Sequence, residues 1–152
     1  MREEHPARRR IATFTLLAAA AAVAFALRPV DPDRALAERL IGPAERIPGG
    51  GPPAFRHGRK AVLFFERTGV QGSIRGAVVV NGDAIADILL LYSIEGHNGR
   101  VLESPAFLGS FRGLPARPPA VVDSVTGASV SSRVLIDAVN ERLRWWSAGA
   151  PR

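Results

Sequence analysis

From Ile11 to Leu27 the chain carries no charge, and arginines stand on both sides of this run, Arg8-Arg9-Arg10 before it and Arg28 after it. At about 1.5 Å per residue a helix over this run spans roughly 25 Å, slightly less than a bilayer core of about 30 Å. The flanking arginines can snorkel across the difference. Two readings stand side by side. The run is an uncleaved transmembrane anchor, or it is a signal peptide with Ala24-Phe25-Ala26 as its small-x-small cleavage site. Both give one orientation: residues 1–10 remain as a cytoplasmic basic segment, and everything after Arg28 is exported. The expected location is the inner membrane, single-pass, with the domain on the periplasmic side. Any water-soluble fold must be built from the rest of the chain.

That remainder is less basic than the whole. The formal net charge is +6, but Arg2, Arg8, Arg9 and Arg10 crowd the first ten residues. Without them the chain is nearly balanced, and no basic stripe interleaved with aromatics speaks for nucleic acid. There is no cysteine, which excludes disulfides, thiolate metal sites and iron–sulfur ligation by this chain. Three histidines, His5, His57 and His97, do not make a His-rich metal site. No Ser/His/Asp order or paired-carboxylate setting marks an independent enzyme.

Residues 28–57 read as a linker with one short helix. Asp31-Pro32 supplies an N-cap and first-turn pair, Leu36, Leu40 and Ile41 share a face, and Pro43 ends the helix. The domain is expected over 58–148. "KAVLFFERTG" reads as a strand, and "GSIRGAVVVNGDAIADILLLYSIEG" as a hairpin with Asn81-Gly82 in a type I′ turn. Its second arm, Ile85 to Tyr92, is almost wholly apolar, as in a central strand covered on both faces. "SPAFLGSFRGLP" places Phe107, Leu108 and Phe111 at helical spacing. "SVSSRVLIDAVNERLRWW" is the clearest helix, with Val130, Val134, Leu135, Ala138, Val139, Leu143 and Trp146 in one apolar stripe. Trp145 falls off that stripe and is expected to be exposed. The fold class is α+β: a small antiparallel sheet with a C-terminal helix, preceded by one N-terminal transmembrane helix.

The stretch "DSVTGASVSSR", Asp123 to Arg133, leads into that last helix. Gly127-Ala128-Ser129 lets backbone amides converge where a helix start lacks intrahelical partners and carries partial positive charge. Such a start suits a phosphate group. Thr126, Ser129, Ser131 and Ser132 add hydroxyls, and Asp123 stands just upstream to hold the loop or a cation. Plain N-capping by Ser129 or Thr126 is the alternative from local chemistry alone.

"DSVTGAS" resembles the flavinylation motif of the FMN-binding domain found in subunits of the Rnf complex, in the sodium-pumping NADH:quinone reductase and in membrane-bound regulators of nitrous oxide reduction. That motif runs acidic, two variable residues, Ser or Thr, Gly, Ala, then Ser or Thr. Asp123, Thr126, Gly127, Ala128 and Ser129 fill it. The likeness extends over about 60 to 145, through "SSRVLIDAV", "ILLLYSIEGHNGRVLESPAFLGSFRGL" and "GSIRGAVVVNGDAIADI". The Glu-Thr-Pro-Gly-Leu-Gly loop of the Rnf type is absent, with "ESPAFLG" nearby, and serine replaces the commoner threonine at 129.

The resemblance implies FMN joined through its phosphate to Ser129 by a separate flavin transferase outside the cytoplasm. It implies Asp123, Thr126, Gly127, Ala128, Ser129 and Glu95 as cofactor-binding residues; the hydroxyls of Ser131 and Ser132 join them from the local chemistry of the helix start, and no catalytic or metal-binding residue stands out. The chain would then be a membrane-tethered electron-transfer flavoprotein exchanging electrons with membrane redox proteins. Two further readings remain: a non-redox structural subunit that has kept the fold, and a flavin-dependent regulatory domain. His97, in a Gly/Asn loop, reads as a solvated turn residue.

Overall fold

A computed structural model describes residues 30–49, 51–69, 72–93 and 101–149, and the compact unit within it spans Pro32–Arg152. The uncharged run 11–27 lies outside the described residues, and no helix among those described is long and apolar enough to cross a membrane.

The chain enters through helix α1, Pro32–Ile41, then a two-residue strand β1, Glu45–Arg46. Strands β2 (Ala54–His57), β3 (Lys60–Thr68), β4 (Ser73–Asn81) and β5 (Ala84–Ser93) follow. All pair antiparallel with their sequence neighbours in the order β1-β2-β3-β4-β5. Helix α2, Pro105–Gly109, is one short turn, and helix α3, Ser129–Ser147, closes the fold. The expected class, an antiparallel sheet with a C-terminal helix, is what the chain adopts.

The period-two alternation of β3 and β4 explains the layering. Ala61, Leu63 and Phe65, with Ile74, Val78 and Val80, face one side, where Leu135, Ala138, Val139 and Leu143 of α3 cover them. Val62, Phe64, Ala77 and Val79 face the other side, where Ala37 and Ile41 of α1 join Phe55. Phe55 and Phe64 meet edge to face at 6.1 Å between centroids. Both faces of the β3–β4 pair are dry, and a helix lies on each.

This layering moves the expected domain boundary. Residues 28–57 were read as a linker, yet α1 supplies one cover of the sheet and β2 pairs with β3 from Ala54↔Leu63 to His57↔Lys60. The chain just before β2 is also pinned from α3. Buried Arg142 donates from Nη2 to the Pro52 carbonyl at 3.1 Å and lies over the Trp145 ring, 4.4 Å from its centroid. Its Nε has no hydrogen-bond partner, and burial pushes its guanidinium pKa down. Trp145 is half-buried rather than exposed, because Gly49 lets the indole press onto the backbone; a Cβ there would sit 2.8 Å from Trp145 Cζ2.

The hairpin turn also differs in register. Asn81 pairs with Ala84, so the two loop residues are Gly82 and Asp83. Only Gly82 has positive φ, at 61°, which is the type II′ requirement, not the paired positive angles of type I′. The apolar run after the turn is an edge strand, not a central one. Register shifts between Arg75/Gly76 and Val79/Val80 mark two bulges in its pairing with β4. Each inserts a residue into β5 and resets its facing, so Ile85 and Ile88 both reach the core while Leu91 is 38% exposed. The outer edge at Ile85 is taken up by the chain after α2: Ile85 N–H donates to the Leu114 carbonyl at 2.8 Å, and Gly113 N–H donates to the Ile85 carbonyl at 2.9 Å.

Polar residues tie α1 to one end of this sheet. Arg75 Nη2 of β4 donates to both carboxylate oxygens of Asp33, in the first turn of α1, at 2.6 Å, and the pair is part-buried. On the neighbouring strands, Tyr92 donates its hydroxyl to Glu66 Oε1 at 3.1 Å. Arg67 bonds Glu141 of α3, and Arg112 grips Asp87 with two bonds.

Two outcomes follow from this packing. Gly76 lies opposite Phe65, and a Cβ on it would collide with both the Phe65 ring and the Leu89 carbonyl. Gly76→Ala is expected to destabilise the fold by about 3 kcal/mol, measured by urea denaturation; an unchanged midpoint would contradict the packing. Tyr92, the chain's single tyrosine, has its pKa raised above 10.0, first by its hydrogen bond to Glu66 and then by burial and the Glu66 charge, against Arg75 and Ser73. A raised phenol favours folding below its unfolded value, and that contribution is lost as pH rises through the folded value. In an ultraviolet absorbance titration, Glu66→Gln is expected to move the phenol back toward its ordinary value. A curve unchanged from wild type would exclude the contact.

Candidate functional site

The approach to α3 alternates inward and outward. Ala120 and Ala128 are buried, and Val122 and Val125 pack against the core beneath α3. Val121, Asp123, Ser124, Thr126 and Gly127 face out. The apolar residues thus anchor the loop, and the acidic and hydroxyl residues of the motif are left in solvent. Pro118-Pro119 is a cis peptide.

The turn into the helix is closed by the Ala128 N–H donating to the Val125 carbonyl at 3.0 Å. Gly127 is its third residue, with φ at 85°, the position where a type II turn demands a residue free to take positive φ. A Cβ at Gly127 would meet no atom within 4 Å, so nothing packs over this side of the turn.

The helix start itself is unusual in what it lacks. The N-cap residue is Ala128, no side chain caps the helix, and the first turn holds no acidic residue. Alanine is a poor N-cap, worth about 1 kcal/mol less than Ser, Thr, Asp or Asn. The positive end of a 19-residue helix is therefore open to an anion. Ser129, its first residue, is exposed, and its Oγ stands 3.5 Å from the Val125 carbonyl, at the limit of a hydrogen bond.

The other two serines face inward. Ser131 and Ser132 are buried. Ser132 Oγ accepts from the Val125 N–H at 3.1 Å and donates to the Ala128 carbonyl at 2.8 Å. Its hydroxyl holds the loop and does not reach the outer face, where Thr126 and Ser129 lie. Val130, assigned by periodicity to the core stripe, is 61% exposed beside Ser129. The buried arc at this end of the helix passes through Ser131 and Ser132 instead. Glu95 and His97 lie outside the described residues.

Beside the loop, Asp123 and Val125 form one wall of a cleft of about 290 Å³, with Ser104, Ala106, Phe107 and Ser110 of the α2 region opposite. Phe107 is held by Phe111, edge to face at 5.8 Å between centroids. The sequence marks Phe107 and Phe111 as a helical pair; the fold places Phe107 in α2 and Phe111 in the turn that follows it. The sequence holds no sign that the α2 region and Asp123 would line one cleft, which depends on the tertiary fold. Asn140 was also missed. Its Oδ1 accepts from the Ala120 N–H at 2.7 Å, and its Nδ2 donates to the Ala120 carbonyl at 3.2 Å. A half-buried amide among the apolar residues of α3 was the available signal.

The residues present suit a phosphoester-linked group. There is an exposed hydroxyl at an uncapped helix start, a left-handed glycine with open space before it, and a cleft beginning at the neighbouring carboxylate. No group of histidines and carboxylates among the described residues is placed to hold a metal ion. No family model matches the chain, and no curated protein matches it.

The turn gives a direct test of its own geometry. Gly127→Ala meets no steric obstacle, so its effect is the left-handed backbone alone, a loss of about 1–2 kcal/mol. Denaturation with an unchanged urea slope is the expected result, and wild-type stability would show that Gly127 does not need positive φ.

Proposed function

We propose that the chain is a membrane-tethered, exported flavoprotein that carries FMN through a phosphoester on Ser129 and passes electrons between membrane redox proteins. One observation supports this most: within the matched motif, the serine that would be the acceptor is the exposed residue at the start of α3, and that start is left uncapped. A phosphodiester there keeps a negative charge at the positive end of the helix, where the helix dipole favours it.

Each motif residue then has a task. Ser129 supplies the linking oxygen. Gly127 bends the chain without a side chain in the way, and Ala128 is the buried pivot. Thr126 offers a neighbouring hydroxyl donor. Asp123, at the mouth of the cleft, is placed for recognition by the flavin transferase. Ser131 and Ser132, facing inward, support the loop. FMN when bound supplies the redox chemistry, and the protein's part is to hold the phosphate and orient the ring. Phe107, Ala106 and Val125 give the adjoining cleft an apolar lining, with Ser104 and Ser110 as polar groups. The uncharged run 11–27 and its arginines would tether the domain on the side where flavin attachment takes place.

Expressed in a host that has a flavin transferase, wild-type protein should give a tryptic peptide containing Asp123–Arg133 with the mass of FMN less water. Ser129→Ala should abolish the adduct and the in-gel flavin fluorescence together. Ser129→Thr should retain both, because it keeps the hydroxyl in nearly the same place. An adduct on another residue would overturn the attachment site. No adduct at all would leave a non-redox structural subunit as the reading.

A further inference from the structure

The loop that carries the motif touches α3 through two polar side chains a little over two turns apart on the same helix. Near the start of α3, Ser132 is fully buried and bonds both ends of the turn, the Val125 N–H and the Ala128 carbonyl. Farther along, Asn140 bonds both polar groups of Ala120 with its amide. The acidic motif residue, Asp123, lies between these two points. The Ser132 hydroxyl reaches back to fix the loop, while no side chain caps the outer end of the helix.

We infer that Ser132 and Asn140 are positioning residues, a two-point brace that fixes the 120–128 loop to α3 and so presents the Ser129 hydroxyl and the Asp123 carboxylate outward in one arrangement. This rests on the reading of Ser129 as the flavin acceptor. Neither residue touches the flavin. Ser132 has no exposed surface, and both atoms of the Asn140 amide are engaged with Ala120. Their effect passes through the backbone they hold. The brace uses hydrogen bonds between side chain and backbone, so it depends on the polar atoms and not on side-chain volume.

The test compares S132A, S132C, S132T and N140A with wild type in the full-length protein. One measurement is amide hydrogen exchange before flavin loading, and the other is the initial rate of flavin loading in the presence of the transferase. In S132A and N140A, exchange within 120–128 should rise about tenfold while β3 and β4 keep their protection. Loading should slow about tenfold, since a small displacement of a reacting group has effects of that order or greater. S132C fills the same space with a poor hydrogen-bonding group and should behave like S132A. S132T keeps the hydroxyl and should recover loading. Wild-type exchange and loading in S132A and N140A would overturn the brace, as would exchange raised across the whole sheet or wild-type behaviour in S132C. If wild-type protein never takes up flavin, the flavin reading falls and with it the purpose of the brace, while the exchange measurement still decides whether the loop is held as described.

Discussion

Burial of both faces of the β3–β4 pair is the constraint from which the rest of the molecule follows. The odd residues of β3 and the even residues of β4 face α3; the others face α1. A strand apolar on both faces needs cover on both faces, and a domain of this size has two long helices among its described residues to provide it. One is α1, which therefore belongs to the fold although it precedes a Gly/Pro-rich break. The other is α3, whose position on the sheet fixes where its first residue points. The site at Ser129 is thus a consequence of core packing: the stripe Leu135, Ala138, Val139 and Leu143 sets the rotation of the helix, and Ser129 falls on its open side.

Much of this was legible in local pattern. The long helix, the β3 strand, the β4–β5 hairpin and the extent of α1 all come from periodicity, proline placement and turn residues. What was not legible depended on partners distant in sequence. Ile85 to Tyr92 is apolar enough for a central strand, yet among the described residues no further strand pairs with its outer edge, and two bulges fit its excess residues to an edge position. The turn slipped by one residue because Lys60 fixes the register of Asn81 from the β3 side. Trp145 looked exposed on the helical wheel because its partner, the Gly49 backbone, carries no side chain for a pattern to register.

The site shows the same division. Thr126, Gly127, Ala128 and Ser129 were legible as a helix approach because glycine before a hydroxyl-rich helix start has a local meaning. The separation of their roles was not. The hydroxyls of Thr126, Ser129, Ser131 and Ser132 look equivalent in the sequence, but the helical rotation that buries Leu135 also carries Ser131 and Ser132 inward and leaves Ser129 outside. Val130 is the counterpart on the apolar side, a residue of core chemistry that the same rotation exposes next to the candidate acceptor. The cleft walls from α2 depend on a tertiary contact and carried no signal at all.

An uncapped start on the longest described helix is a concession in stability, and its location gives it meaning. Ser132, four residues into the helix, could hydrogen-bond back along its own turn without holding anything else, as serines in helices often do. Here the same hydroxyl also receives the Val125 N–H, and that second bond converts a local interaction into a tertiary one. The loop is thereby ordered from below, by buried groups, and its outer surface is left without side-chain caps. A cap from Asp, Asn, Ser or Thr would stabilise the helix start by accepting from the same amides that an incoming phosphate must use. Internal bracing and external capping are therefore competing solutions for one helix end, and only the first leaves that end available to a ligand.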